Sequence, residues 1–165
     1  MNGIIGMTEL TLETELNQIQ KEYLTTVRSS AEALLSIIND ILDYSKVEAG
    51  KLSLENIDFF LRDSIAEALR PLSFNAHQKG LELAYYVEQD VPDALIGDPG
   101  RLRQILVNLV GNAIKFTHAG EVVLFVFKQE VTESRVQLHC GVLDTGVGVP
   151  PEKQEKIFQE FAQAD

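Results

Sequence analysis

Two asparagines one helical turn apart, Asn108 and Asn112, stand with Lys115 inside an otherwise apolar stretch. Asparagine is a poor helix-interior residue, because its side chain competes for backbone hydrogen bonds. Its carboxamide oxygen is a hard donor suited to magnesium, and a lysine three residues on can reach a phosphate. The same residues also suit a satisfied polar seam between packed elements, and the stretch alone leaves both readings open. Further on, Asp144 closes the alternating run Val136–Asp144, in which Val136, Leu138, Cys140 and Val142 share one face. Asp144 has the parity of that face, where a carboxylate needs a partner. Thr145-Gly146-Val147-Gly148 follows, a turn that lets a ligand approach backbone.

The elements that must position these groups are legible. Asp98 followed by Pro99 reads as an N-cap and first helical residue. Leu102, Ile105, Leu106, Leu109, Ala113 and Phe116 then recur at steps of three and four. Val107, Val110 and Ile114 form a second apolar row. Between the rows runs a narrow polar line of Arg101, Gln104, Asn108, Asn112 and Lys115. Gly111, beside Asn112, clears room for something to approach.

Taken together, these stretches resemble the histidine kinases of two-component signalling, closest to the hybrid sensor kinases. Asn108-Leu-Val-Gly-Asn112-Ala-Ile-Lys115-Phe116-Thr117 is similar to that family's N box. Asp144-Thr-Gly146-Val-Gly148 is similar to the G1 box, and Ile157-Phe158-Gln-Glu-Phe161 to the F box. Asn2-Gly-Ile-Ile-Gly-Met7 resembles the residues just after the phospho-acceptor histidine. Leu42-Asp-Tyr-Ser-Lys-Val-Glu-Ala-Gly-Lys51 resembles the end of the second dimerisation helix. The resemblance covers essentially the whole chain, in the family's order.

It implies an α+β chain: a helical hairpin over residues 1–50, dimerising into a four-helix bundle, then an ATP-binding two-layer α/β sandwich over 51–165. The sandwich would be of the type shared with gyrase and the Hsp90 chaperones. It implies ATP and Mg2+ as ligands, with Asn108 holding magnesium and Asn112 and Lys115 meeting the phosphates. Asp144 would accept from the adenine amino group, and Gly146 and Gly148 would leave space for base and ribose. Arg101 or Arg103 is a candidate for phosphate charge. Phe158 and Phe161 suit either the base of a lid or simple core. The implied partners are a second copy of the chain and a response-regulator receiver domain, in the cytoplasm, with any membrane contact made through segments outside this chain. The implied reaction is ATP-dependent phosphorylation of a histidine, then transfer to an aspartate.

The chain departs from the family's pattern at both ends. It begins after the place of the acceptor histidine and stops where the lid and second glycine box should begin. It is therefore expected to be a fragment, without autophosphorylation and at best a weak nucleotide binder. His77, His118 and His139 lie outside the hairpin and are read as structural. Two other classes stay open: a non-catalytic dimerisation or adaptor module, and an ATPase of the same fold.

Composition agrees with these expectations. The 165 residues carry a net charge of −11, which disfavours a nucleic-acid surface. The single cysteine, Cys140, forbids an internal disulfide and suits a reducing compartment. No apolar run is long enough to span a bilayer. In order, the pattern predicts a helix over 1–13, a polar link over 14–17 and a long helix over 18–49. Its heptad seam is Leu24, Val27, Ala31, Leu34, Ile38, Ile41 and Ser45. A strand is expected from Leu52 to Phe59, a helix over 61–79, strands over 81–87 and 94–97, and a hairpin over 120–144. Val122 to Phe127 is apolar on both faces, which predicts a central strand. A short helix from Pro151 should contain Ile157 and Phe158.

Overall fold

The computed structural model describes residues 1–132 and 134–154, and within helix 18–48 it leaves the side chains of Ser36 and Asp40 undescribed. Ile157, Phe158 and Phe161 lie outside the described residues. The chain divides into two compact units, Met1–Ser53 and Leu54–Asp165.

The first unit is a helical hairpin of α1 (Asn2–Leu12) and α2 (Gln18–Glu48). A capping box starts α2: the Asn17 side chain accepts from the Gln20 amide at 2.9 Å, and the Gln20 side chain accepts from the Asn17 amide at 3.0 Å. The helix closes with Gly50 N–H donating to Val47 O and Lys51 N–H to Lys46 O, the paired bonds of a Schellman end. Among the described residues, only Thr8 and Ala31 are buried in this unit. Of the expected seam, Val27, Leu34, Ile38 and Ile41 are exposed. Two helices meeting along one line cannot cover an apolar stripe this wide.

The second unit is built from β1 (Ile57–Phe60), α3 (Leu61–Gln78), β2 (Glu82–Val87), β3 (Ala94–Gly97), α4 (Pro99–Phe116), β4 (Glu121–Val131), β5 (Val136–Asp144) and a single turn, α5 (Pro151–Gln154). The strands form two sheets. β1 and β3 make an antiparallel pair, and β2, β4 and β5 make a mixed sheet in the order β2-β4-β5. β2 runs parallel to β4 from Glu82↔Glu121 to Val87↔Val126, and β5 runs antiparallel with Val122 opposite Asp144. β4 is thus the central strand, as its two-faced apolar pattern predicts. The expected strand Leu52–Phe59 is shorter and later, because its only partner, β3, is four residues long.

α3 and α4 pack together over one face of the mixed sheet. α3 contributes Leu61, Ile65, Ala68, Leu69 and Ala76, at helical spacing. α4 contributes Leu106, Val110, Ala113 and Ile114, and β4 contributes Val122, Leu124 and Val126 from one side of its pleat. Each fully buried large side chain in this layer stabilises by about 1.5–3 kcal/mol. α3 runs unbroken through Pro71, which removes only the amide that would have bonded the Glu67 carbonyl. Among the described residues, no helix is long and apolar enough to cross a membrane.

Candidate functional site

Asp98 sets the start of α4. One carboxylate oxygen accepts from the Arg101 amide at 2.9 Å and the other from the Glu55 amide at 3.1 Å. These backbone donors, Arg101 first and Glu55 second, hold the Asp98 carboxyl below the ordinary carboxylate range.

From that cap the helix turns its apolar rows in an unexpected way. Leu106, Val110, Ala113 and Ile114 face the core, while Ile105 (56% exposed), Leu109 (46%) and Phe116 (51%) point outward. The row written from sequence as one face is split between two. Asn108, Asn112 and Lys115 are exposed on the same outward side. They belong to a broad mixed face of α4 and not to a narrow line between buried rows. Arg101 and Gln104 continue this face toward the N-terminus, where the Arg101 guanidinium donates to the Gln104 side-chain oxygen at 2.7 Å. Arg103 instead pairs with Glu67 on α3. The Lys115 ammonium lies 4.9 Å from the centre of the Phe116 ring.

Asp144 ends β5. It is exposed, whereas its parity suggested a buried-face position, and its neighbour Leu143 is exposed as well. The cross-strand partner of Asp144, Val122, is nonetheless fully buried, so the exposure is local to the end of β5. Asp144 Oδ1 accepts from the Gly146 amide at 2.8 Å, and among the described residues no other donor reaches the carboxylate.

Two residues seat this turn, one against the end of α4 and one against the start of β4. The first is Gly146. A β-carbon there would lie 2.7 Å from the Phe116 carbonyl oxygen, 2.8 Å from Asp144 Oδ1 and 3.0 Å from Thr117 Oγ1. Only a residue without a side chain fits between the asparagine helix and the aspartate. The second is Thr145, which sequence reasoning passed over. Its amide donates to Glu121 O, its Oγ1 accepts from the Glu121 amide at 3.0 Å, and the hydroxyl donates to Ala119 O at 3.0 Å. A hydroxyl residue just after a strand-ending aspartate was the available signal, since threonine bonds nearby backbone in turns. Thr117 is fully buried and donates its hydroxyl to Ala113 O at 2.8 Å, closing the helix. Gly148 has φ +68 with open space around it, so backbone conformation sets its identity.

The arrangement therefore sets a turn bearing a carboxylate against the carboxyl end of a helix whose outward face bears two carboxamides and an ammonium. A carboxylate with one oxygen held and one available suits an amino group. Carboxamides and a lysine along a helix suit phosphates and a hard cation. Among the described residues, no cluster of three or more His, Cys, Asp or Glu side chains could hold a metal ion. A magnesium ion here would take an amide oxygen and rely on phosphate and water for its other ligands. A cleft of 380 Å³ lies elsewhere, lined by Asp58, Phe59, Phe60, Ala94, Leu95 and Ile96. Its walls are apolar apart from Asp58 and bring together no set of polar groups, so the chemistry points to α4 and Asp144 instead. His77, His118 and His139 stand apart from each other in the chain; His139 stacks on Phe125 with ring centres 6.0 Å apart.

Comparison with known proteins places the chain among known families. Residues 1–50 match the family described as the His Kinase A (phospho-acceptor) domain. Residues 97–165 match the family of histidine kinase-, DNA gyrase B- and HSP90-like ATPases. The chain is 51% identical over 165 residues to the signal transduction histidine-protein kinase BarA of Escherichia coli K12, covering all of this chain and 18% of BarA. It is 52% identical to the sensor protein GacS of Pseudomonas syringae, again over all of this chain and 18% of the relative. The crystal structure of full-length ShkA in complex with AMPPNP superposes with a TM-score of 0.76 at 38% identity, over 98% of this chain and 34% of ShkA. The chain thus spans about a fifth of the length of the curated relatives it matches.

Proposed function

The chain belongs to the histidine kinases of two-component signalling, and on that premise we propose that it is the dimerisation and nucleotide-binding core of such an enzyme. The reaction is transfer of the ATP γ-phosphoryl group to a histidine, then to an aspartate on a response-regulator receiver domain. Residues 1–50 serve as the dimerisation hairpin and 51–165 as part of the ATP-binding domain, in the cytoplasm.

One observation carries the nucleotide reading: Gly146 seats the Asp144 turn directly against the end of the asparagine helix. In this reading Asp144 accepts from the adenine amino group with the oxygen that Gly146 leaves available. Asn112 and Lys115 meet the phosphates, and Asn108 offers its oxygen to Mg2+, which neutralises phosphate charge. Gly146 and Gly148 leave room for base and ribose. Phosphoryl transfer needs positioning and electrostatic stabilisation more than covalent help from the protein. A rigid junction between a helix end and a strand end suits that need.

The test is calorimetric titration with AMPPNP, with and without magnesium, for the unaltered chain and for Asp144→Asn. Loss of one charge-assisted hydrogen bond is worth about 1.5–3 kcal/mol, or roughly tenfold or more in affinity. Unchanged affinity in a folded Asp144→Asn variant would sink the assignment.

The exposed row Val27, Leu34, Ile38 and Ile41 supports a homodimer, since a second hairpin would cover it in a four-helix bundle. Light scattering that shows a stable monomer at micromolar concentration would refute this.

A further inference from the structure

The carboxyl end of α4 is closed by a lysine from the neighbouring helix. Lys79, the C-cap residue of α3, donates from its ammonium to the carbonyls of Ile114 at 2.7 Å and Lys115 at 3.0 Å. Its backbone is fixed by the bonds that end α3, Gly80 N–H to His77 O and Leu81 N–H to Ala76 O, both 2.9 Å. The side chain is thereby presented to α4. The carbonyls it meets belong to the last turn, where the helix supplies no amides of its own. The next carbonyl, of Phe116, is the one that Gly146 abuts. The turn that bears Lys115 is thus held by Lys79 and seated against the Asp144 loop through Gly146.

Charge gives the contact a second effect. The carboxyl end of a helix carries roughly half a negative charge. A polyphosphate lying along Asn112 and Lys115 would be repelled by it. We propose that Lys79 is a positioning residue for this anion site: its hydrogen bonds fix the last turn of α4, and its charge offsets the negative helix end. The inference rests on the nucleotide reading above.

Amide hydrogen exchange on the 165-residue chain without nucleotide tests the first effect, comparing the unaltered protein with Lys79→Ala and Lys79→Arg. Lys79→Ala should speed exchange in residues 111–118 by about two- to fivefold, the range for a cation at an exposed helix end. The β4 core amides of Val122, Leu124 and Val126 should not change, and Lys79→Arg should restore most of the protection. Unchanged exchange at the helix end, or an equal rise throughout residues 54–154, overturns the proposal.

Titration tests the second effect. Lys79→Ala should weaken AMPPNP by about two- to fivefold and leave adenosine unaffected, and equal losses for both ligands overturn the charge argument. If the unaltered chain binds neither ligand while Lys79→Ala still loosens the end of α4, the nucleotide reading fails and the clamp stands.

Discussion

Replacing Gly146 by alanine adds one methyl group at the most confined point of the site. Its β-carbon would start 2.7 Å from Phe116 O, 2.8 Å from Asp144 Oδ1 and 3.0 Å from Thr117 Oγ1. None of the three yields easily. The first is helix backbone, the second is hydrogen-bonded to the Gly146 amide, and the third belongs to a buried side chain bonded to Ala113 O. To move from 2.7 Å to the 3.4 Å of ordinary contact, the turn must retreat by about 0.7 Å. Overpacking of this kind costs about 1–3 kcal/mol. A retreat of that size also carries Asp144 away from the helix, and with it the carboxylate that is to meet the adenine amino group. Thermal melting and AMPPNP titration should therefore both register Gly146→Ala, with affinity lost by roughly tenfold or more. Gly148→Ala is the comparison for the melting experiment alone. It meets no atom within 4 Å but stands at φ +68, so it should lose about 1–2 kcal/mol of stability through backbone strain alone. A Gly146→Ala protein that melts and binds nucleotide like the unaltered chain would refute the reasoning from confinement.

Two further outcomes follow from the fold. Leu106→Ala empties a fully buried position between α4 and the sheet and should cost about 2–5 kcal/mol in chemical denaturation; a loss below about 1 kcal/mol would mean that the layer is not packed as described. Asp98→Asn keeps a side-chain acceptor at the helix cap but removes the charge. Because the folded carboxyl ionises below its ordinary value of 3.8, its contribution is complete above that pH and is lost as pH falls through the lower folded value. The variant should be less stable than the unaltered chain at neutral pH, with the gap closing below pH 3.8. A gap that stays constant into acid would contradict the role assigned to the charge.

Much of this architecture was legible in the residues. The Asp98-Pro99 cap placed the start of α4, and the two-faced apolar run marked β4 as central. The motifs around Asn108, Asn112 and Asp144 identified the stretches that the fold brings together at Gly146. Other features were not legible, for physical reasons. α4 is apolar around most of its circumference, so periodicity could not tell which row met the core, and Ile105, Leu109 and Phe116 were grouped with buried residues. Parity along β5 assigned Asp144 to the covered face but carried no information on how exposed the last residue of the strand would be. Leu52 to Asn56 read as strand because propensity does not reveal that β3 offers only four residues to pair with. Thr145 and Lys79 act on backbone carbonyls and amides supplied by remote segments, and sequence patterns do not encode such partners.

The parallel pairing of β2 with β4 has a consequence for the order in which this unit comes together. β4 and β5 are joined by a short connection and can zip from their tip. Glu82, by contrast, must find Glu121 across a crossover that contains β3 and the whole of α4. Closing that larger loop costs more chain entropy before any contact offsets it. The Asp144 turn is tied to Ala119 and Glu121, at the point where the crossover enters β4. These bonds continue the β4–β5 ladder one rung beyond Val122↔Asp144, so the junction that unites the two motifs forms as that hairpin zips and does not wait for the crossover to close.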